Sequence, residues 1–148
     1  MTFSSKDINN LYGFSDIILP ETGKMPSALQ IIAKEDIVWM LEETNKYQQA
    51  LIEVLNFIKK EPSSRVTGGI SELSENQKIE MISLMESIIP EETNLFIEMI
   101  YLLYYSKEEI HNLIGWDPDE NSEENKLEPF NNSILENVKK REPFWRKV

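Results

Sequence analysis

Residues 90–105, PEETNLFIEMIYLLYY, have the clearest core-helix pattern in the chain. Proline suits the first position of a helix, where its missing N–H would have no partner anyway. Glu91 and Glu92 then favour the positive end of the helix dipole. The apolar residues that follow recur at intervals of three and four, as on a buried helix face: Leu95, Phe96, Met99, Ile100, Leu103 and Tyr104. The segment therefore predicts a core helix that begins at Pro90.

The same spacing extends back from this helix. Ser74 and Gln77 have the pattern of a capping box, which predicts a helix that must close before the next proline. Apolar residues from 35 to 60 repeat at three and four, which predicts one long amphipathic helix with a single buried stripe. Between them, residues 61–72 contain a Gly-Gly pair and lack periodicity, so we expect a flexible linker there.

The first residues predict two shorter helices. Ser4 followed three residues later by Asp7 is typical of a helix start, and it predicts a first helix near 5–18 that Pro20 stops. After a turn region, Ser27 can cap a short helix that continues to about residue 32.

Beyond the core helix, Ser106 and Glu109 predict a capping box and a short helix over 107–114, ended by the glycine that follows. The chain is then irregular until Asn132 or Ser133, which can cap a final helix. Strand-like alternation is hard to find. The sequence therefore predicts one all-α domain over residues 1–148, with about five to seven helices and an irregular C-terminal segment that contains aromatic residues and prolines.

Composition limits the function. The 148 residues include 41% hydrophobic residues and no cysteine, so disulfide scaffolds, cysteine-ligated metals and thiol catalysis are excluded. A net charge of −11 repels phosphate backbones, and nucleic acid is not an expected partner. The most apolar run, 96–105, is far shorter than the ~20 residues that span a bilayer. The N-terminal residues lack the pattern of a secretory or twin-arginine signal, so we expect a cytoplasmic protein without membrane insertion.

Catalytic and metal-binding patterns are weak. Residues 117–128 carry oxygen ligands at calcium-loop positions 1, 3, 5, 9 and 12, but Ser122 stands where the sharp turn needs glycine, which favours an acidic solvated loop. His111 is the only histidine, so a histidine-rich zinc or iron site cannot be built. Nucleophile motifs and phosphate-binding loops are also missing. We therefore predict no catalytic, cofactor-binding or metal-binding residue, and no enzymatic activity.

Aromatic residues are concentrated in the last 48 residues of the chain. Such large side chains can anchor an irregular segment onto a helical body. Tyrosine, tryptophan and arginine are also enriched at the energetic centres of protein interfaces. On that second interpretation, the predicted partner-binding residues are Tyr104, Tyr105, Trp116, Phe144, Trp145 and Arg146.

A series of short motifs runs along the chain: Leu19-Pro20, Met25-Pro26-Ser27-Ala28, Tyr104-Tyr105-Ser106, Gly115-Trp116, Leu127-Glu128-Pro129-Phe130 and Arg141-Glu142-Pro143-Phe144-Trp145-Arg146. In this order they resemble the gluconate 2-dehydrogenase subunit 3 family, small helical proteins associated with flavin-dependent sugar-acid dehydrogenases. The resemblance implies a non-catalytic accessory subunit that assists the assembly or stability of a large flavin-dependent oxidoreductase. The FAD would then be bound by the partner subunit and not by this chain.

The alternative is an independent small helical protein that self-associates as a homodimer, or that binds a small ligand or calcium. The two hypotheses differ in the surface they require. An accessory subunit leaves an exposed apolar or aromatic patch where its partner binds, whereas an independent protein has a closed surface or an internal polar pocket.

Overall fold

A computed structural model of the chain describes residues 3–62, 64, 68–117, 133 and 140. Its helices, in chain order, are α1 Ser5–Tyr12, α2 Ser15–Ile18, α3 Ala28–Ile31, α4 Lys34–Glu43, α5 Asn45–Lys60, α6 Glu75–Ile88, α7 Pro90–Tyr105 and α8 Glu108–Ile114, with a 3-10 turn at Ile70–Glu72. The predicted all-α fold class is confirmed.

Helix α7 is the centre of the core. It packs most extensively against α5 and α6, and it also contacts α2, α3, α4 and α8. Its buried face carries Thr93, Phe96, Met99, Ile100, Leu103 and Tyr104. The helix begins at Pro90 as predicted, and the Thr93 hydroxyl donates a hydrogen bond of 2.8 Å to the Ile89 carbonyl at that junction. Packing against these neighbours removes the apolar face of α7 from water.

The capping box that precedes α6 is also confirmed. The Ser74 backbone N–H donates to the Gln77 side chain at 2.9 Å, and the Gln77 N–H donates to the Ser74 hydroxyl at 3.4 Å. Helix α6 ends at Ile88, just before the proline that begins α7. The capping box therefore sets the start of α6, and Pro90 sets the junction between α6 and α7.

The single long helix predicted for 35–60 is wrong, because the chain breaks at Thr44 into α4 and α5. Thr44 has an extended backbone, with φ −131° and ψ 102°. The Gln48 side-chain amide donates a 2.6 Å hydrogen bond to the Leu41 carbonyl, which satisfies a group at the end of α4. A β-branched threonine adopts this extended conformation easily. The break lets each helix turn its own apolar face to the core.

The predicted first helix, 5–18, is also broken, at Gly13 and Phe14. The predicted start is confirmed, since Ser4 and Asp7 form a reciprocal capping box. After the break, Phe14 is fully buried and lies edge-on to Phe96, with 6.2 Å between the ring centroids. A Cβ added to Gly13 would lie only 3.1 Å from the Cγ2 atom of Ile70, so glycine permits the close approach of the 3-10 turn.

The Ser106–Glu109 capping box is wrong, although the helix that it introduced is present. The Ser106 hydroxyl donates to the Leu103 carbonyl at 2.9 Å, and Lys107 is the N-cap of α8 without a side-chain cap. Gly115 ends the helix in the left-handed conformation, with φ 68°. The predicted final helix lies outside the described residues, apart from Ser133, which is helical.

The segment 61–72, predicted as a linker, is described only at 61, 62, 64 and 68–72. Within these residues, Ile70 is fully buried in the core. The Asn10 side-chain oxygen accepts a hydrogen bond from the Ile70 N–H at 3.4 Å. The chain divides after Trp116 into a compact unit, 1–116, which contains α1 to α8, and a second unit, 117–148. The single-domain organisation stays a prediction.

Replacement of Asp7 by asparagine tests how the fold depends on pH. Burial raises the pKa of Asp7, but hydrogen bonds from Lys59 and Ser4 outweigh it, and the pKa lies below its ordinary value. A lowered carboxyl pKa contributes stability above the unfolded-state value, and this stability is lost as the pH falls through the folded-state value. Asp7→Asn should therefore lower the free energy of unfolding at pH 7 by about 1 kcal/mol, with a smaller difference below about pH 3.

Urea unfolding at several pH values measures this difference. The matched control is Glu86→Gln, which removes an exposed carboxylate on α6. A constant difference between wild type and Asp7→Asn from pH 7 to pH 2.5 would contradict the role given to the carboxylate.

Candidate partner-binding surface

Tyr104 lies in the core. It is only 2% exposed, and its hydroxyl donates a 2.6 Å hydrogen bond to the Pro26 carbonyl. Burial raises the pKa of Tyr104, with a smaller contribution from Tyr105. A buried phenol normally has such a partner. Tyr104, which the sequence grouped with partner-binding residues, therefore offers no surface to a partner and instead holds the segment around Pro26 against α7.

Tyr104 also links a motif in the late part of the chain to motifs in the early part. Its bond to Pro26 joins Tyr104-Tyr105-Ser106 to Met25-Pro26-Ser27-Ala28. The Ala28 N–H in turn donates to the Leu19 carbonyl at 2.8 Å. Hydrogen bonds thus join two neighbouring motifs near the start of the chain to a third motif, whose Tyr104 lies 78 residues after Pro26.

Tyr101 and Tyr105 lie on the solvent side of α7. They are 41% and 42% exposed, and their rings stack with centroids 6.1 Å apart and planes 15° apart. Tyr105 also meets Tyr104 edge-on, with centroids 5.1 Å apart. Residues four apart on a helix are neighbours on its surface. The buried face of α7 therefore holds an exposed aromatic pair in position.

Trp116 follows the left-handed turn at Gly115 and is 50% exposed. Its ring meets the His111 ring edge-on, with 4.3 Å between the ring centroids. Its backbone N–H donates to the His111 carbonyl at 2.9 Å. The His111 Nε2 atom lies 2.6 Å from the Tyr105 carbonyl. Because a carbonyl can only accept, Nε2 carries the proton and donates it. His111 is therefore the link between Tyr105 and Trp116.

These four side chains, Tyr101, Tyr105, His111 and Trp116, form what we call the aromatic surface. Further exposed apolar residues on the same two helices are Leu102, Leu113 and Ile114, which are 47%, 48% and 51% exposed. Lys107, at the start of α8, pairs with Asp36 of α4 at 2.6 Å and fixes the position of the short helix. Exposed aromatic side chains that contact one another are typical of interaction sites.

The remaining predicted site residues cannot be placed on this surface. Phe144, Trp145 and Arg146 lie outside the described residues, as does the acidic loop after Asp117. In the described part of the chain, no three histidine, cysteine, aspartate or glutamate side chains gather to hold a metal. No helix in that part is long and apolar enough to cross a membrane.

Trp39 on α4 is an exposed residue that the sequence reasoning missed. It is 56% exposed and lines an open groove of about 370 Å³ between α1 and α4. At about 100° per residue, Trp39 lies on the opposite side of α4 from the buried Ile37. That offset is the signal that could have identified it, since a large aromatic residue off the buried stripe is placed in solvent.

The fold and this surface define a small all-α protein with an exposed aromatic patch at the end of its central helix. The family model described as gluconate 2-dehydrogenase subunit 3 matches residues 6–120, and the chain belongs to this family. The match includes the motifs up to Gly115-Trp116 and ends before Leu127-Glu128-Pro129-Phe130. No curated protein and no solved structure was found to match the chain.

Conversion of Tyr104 to phenylalanine tests its structural role. The change removes one hydroxyl and leaves the Pro26 carbonyl without its donor, so the free energy of unfolding should fall by about 1–2 kcal/mol. The matched control is Tyr105→Phe, because the adjacent Tyr105 is exposed, and it should change stability by less than about 0.5 kcal/mol. Urea unfolding of both variants measures the difference. Equal losses in the two variants would show that the Pro26 contact does not stabilise the fold.

Proposed function

We propose that this chain is a non-catalytic accessory subunit that binds a larger, flavin-dependent dehydrogenase subunit through the aromatic surface and assists its assembly or stability. Membership of the subunit 3 family, together with an exposed aromatic patch on the matched residues, carries this proposal. The flavin and the oxidation chemistry belong to the partner.

The geometry of the aromatic surface supports a role in binding. Tyr105 stacks on Tyr101, and its carbonyl accepts from His111, which packs against Trp116. Side chains that are already held by their neighbours lose little conformational entropy when a partner covers them. Aromatic rings also bury a large area each. The aromatic surface would therefore lose little conformational entropy, and bury a large apolar area, when a partner covers it.

Three ionisable groups with shifted pKa values, Glu98, Tyr47 and Asp7, take part in contacts between helices. Hydrogen bonds from Lys46 and then Tyr47 lower the pKa of Glu98, while burial and then the bond to Glu98 raise the pKa of Tyr47. These three residues join α5 to α7. Asp7 likewise joins α1 to α5 through Lys59. The pKa shifts of Glu98, Tyr47 and Asp7 thus have structural causes, which are burial and contacts that join neighbouring helices.

The charge of the chain indicates which charged side chains would surround the binding site on the partner. The aromatic surface adjoins the first turn of α8, which carries the exposed carboxylates of Glu108 and Glu109. The whole chain has a net charge of −11. Basic side chains around an apolar centre on the dehydrogenase would complement this arrangement and speed association at low salt.

Co-purification tests the proposal. The tagged chain is expressed in its native cells, recovered gently and assayed for a stoichiometric partner with flavin absorbance. Trp116→Ala removes an aromatic side chain from the surface and should reduce recovery of the flavoprotein at least about tenfold, as expected for a residue at the energetic centre of an interface. The variant should keep the helical circular-dichroism spectrum of the wild type.

The matched control is Ile88→Ala, which truncates a similarly exposed apolar residue on α6 and should leave recovery unchanged. Recovery of the chain alone, without flavin, from cells that express the dehydrogenase would contradict the proposal. If the chain were then dimeric and Trp116→Ala made it monomeric, the aromatic surface would belong to a homodimer instead.

A further inference from the structure

The groove between α1 and α4 has an apolar floor and an aromatic wall. Ile8 of α1 is 7% exposed at its base, and Val38 and Trp39 of α4 are 37% and 56% exposed beside it. Ser5 and Asn9 supply the polar edge on α1. A cavity of about 370 Å³ falls in the range of sites that enclose a large side chain or a small ligand.

Two carboxylates lie along the same side of α4 as Trp39. Glu35 stands four residues before Trp39 and Glu42 three residues after it, and both line the groove. Residues at these spacings are neighbours on a helix surface. Neither carboxylate has an ion pair or hydrogen bond in the part of the chain that the structure describes. The groove therefore combines an exposed indole with two carboxylates that form no ion pair in the described part of the chain.

The lysine at the rim is engaged with another residue. Lys34 also lines the groove, and its ammonium group lies 5.4 Å from the centroid of the Tyr12 ring, over the ring face. A cation over an aromatic face is held by the ring quadrupole. Lys34 pairs with Tyr12 in this way, while the two carboxylates stay available to a cation from outside.

From this arrangement we infer that the groove binds a protein segment that carries an arginine next to an apolar side chain. The apolar side chain fills the floor over Ile8 and Val38. The guanidinium group stacks on the Trp39 indole and pairs with Glu35 or Glu42. Arginine fits better than lysine because its planar guanidinium stacks on aromatic faces and bonds carboxylates bidentately. The groove is formed by α1 and α4 alone, so its binding of an arginine segment does not depend on whether the aromatic surface binds a dehydrogenase.

A single-tryptophan protein tests this inference directly. The chain has three tryptophans, and the Trp116→Phe, Trp145→Phe background leaves Trp39 as the reporter. The probe is acetyl-Leu-Arg-Leu-amide, and its matched control is acetyl-Leu-citrulline-Leu-amide, which keeps the shape and removes the charge. We expect saturable quenching or a blue shift of Trp39 emission, with the arginine peptide about tenfold tighter than the citrulline peptide at low salt.

Variants of the protein complete the test. Glu35→Gln with Glu42→Gln should weaken the arginine peptide about fivefold or more, whereas Glu75→Gln with Glu86→Gln, which removes the same charge from α6, should not. Equal binding of the two peptides, or no saturable change, would overturn the inference. Chemical-shift changes at the Trp39 indole N–H of the wild-type chain give a second readout, in case the double phenylalanine background does not fold.

Discussion

The burial of one face of α7 by several other helices is the constraint on which the rest of the structure depends. This helix lies against α5 and α6 and is contacted by shorter elements on other sides. Phe14 reaches it only because the first helix breaks, and Pro26 reaches it through the Tyr104 hydroxyl. Because apolar burial is non-directional, these polar and aromatic contacts are what select one arrangement of helices among the many that would hide the same side chains.

The same helix connects the core to the candidate binding surface. Tyr104 and Tyr105 are adjacent in sequence, yet the first is 2% exposed and the second 42% exposed. The buried face of α7 therefore holds Tyr105 in position. His111, which contacts both the Tyr105 carbonyl and the Trp116 ring, positions Trp116. A surface held in this way is consistent with a subunit that presents a preformed patch to a larger protein. The groove at Trp39 lies on different helices, α1 and α4, and its lining combines a polar edge, an apolar floor and two carboxylates.

Much of the helix assignment follows from short-range signals in the sequence. The starts at Ser4, Ser74 and Pro90 and the stop at Gly115 were all predicted, because each depends on hydrogen bonds or backbone geometry within about four residues. The role of the predicted partner-binding residues stays a prediction, but the structure shows which of them a partner could reach. Tyr105 and Trp116 are exposed as an interface requires, whereas Tyr104 is not. Trp39 was not predicted, because the apolar periodicity of α4 identifies its buried face and Trp39 lies on the opposite face.

The sequence by itself determined that the protein is helical, where several helices begin, and which family it belongs to, since caps, periodicity and short motifs are local properties. Only the tertiary structure decided that helices break at Gly13 and at Thr44, because the apolar period is nearly the same on both sides of each break. The contacts that stabilise a broken helix, such as Phe14 against Phe96, join residues that are distant in the chain. The tertiary structure also decided which tyrosines are exposed. The sequence around a tyrosine does not show which side of its helix the other helices will cover.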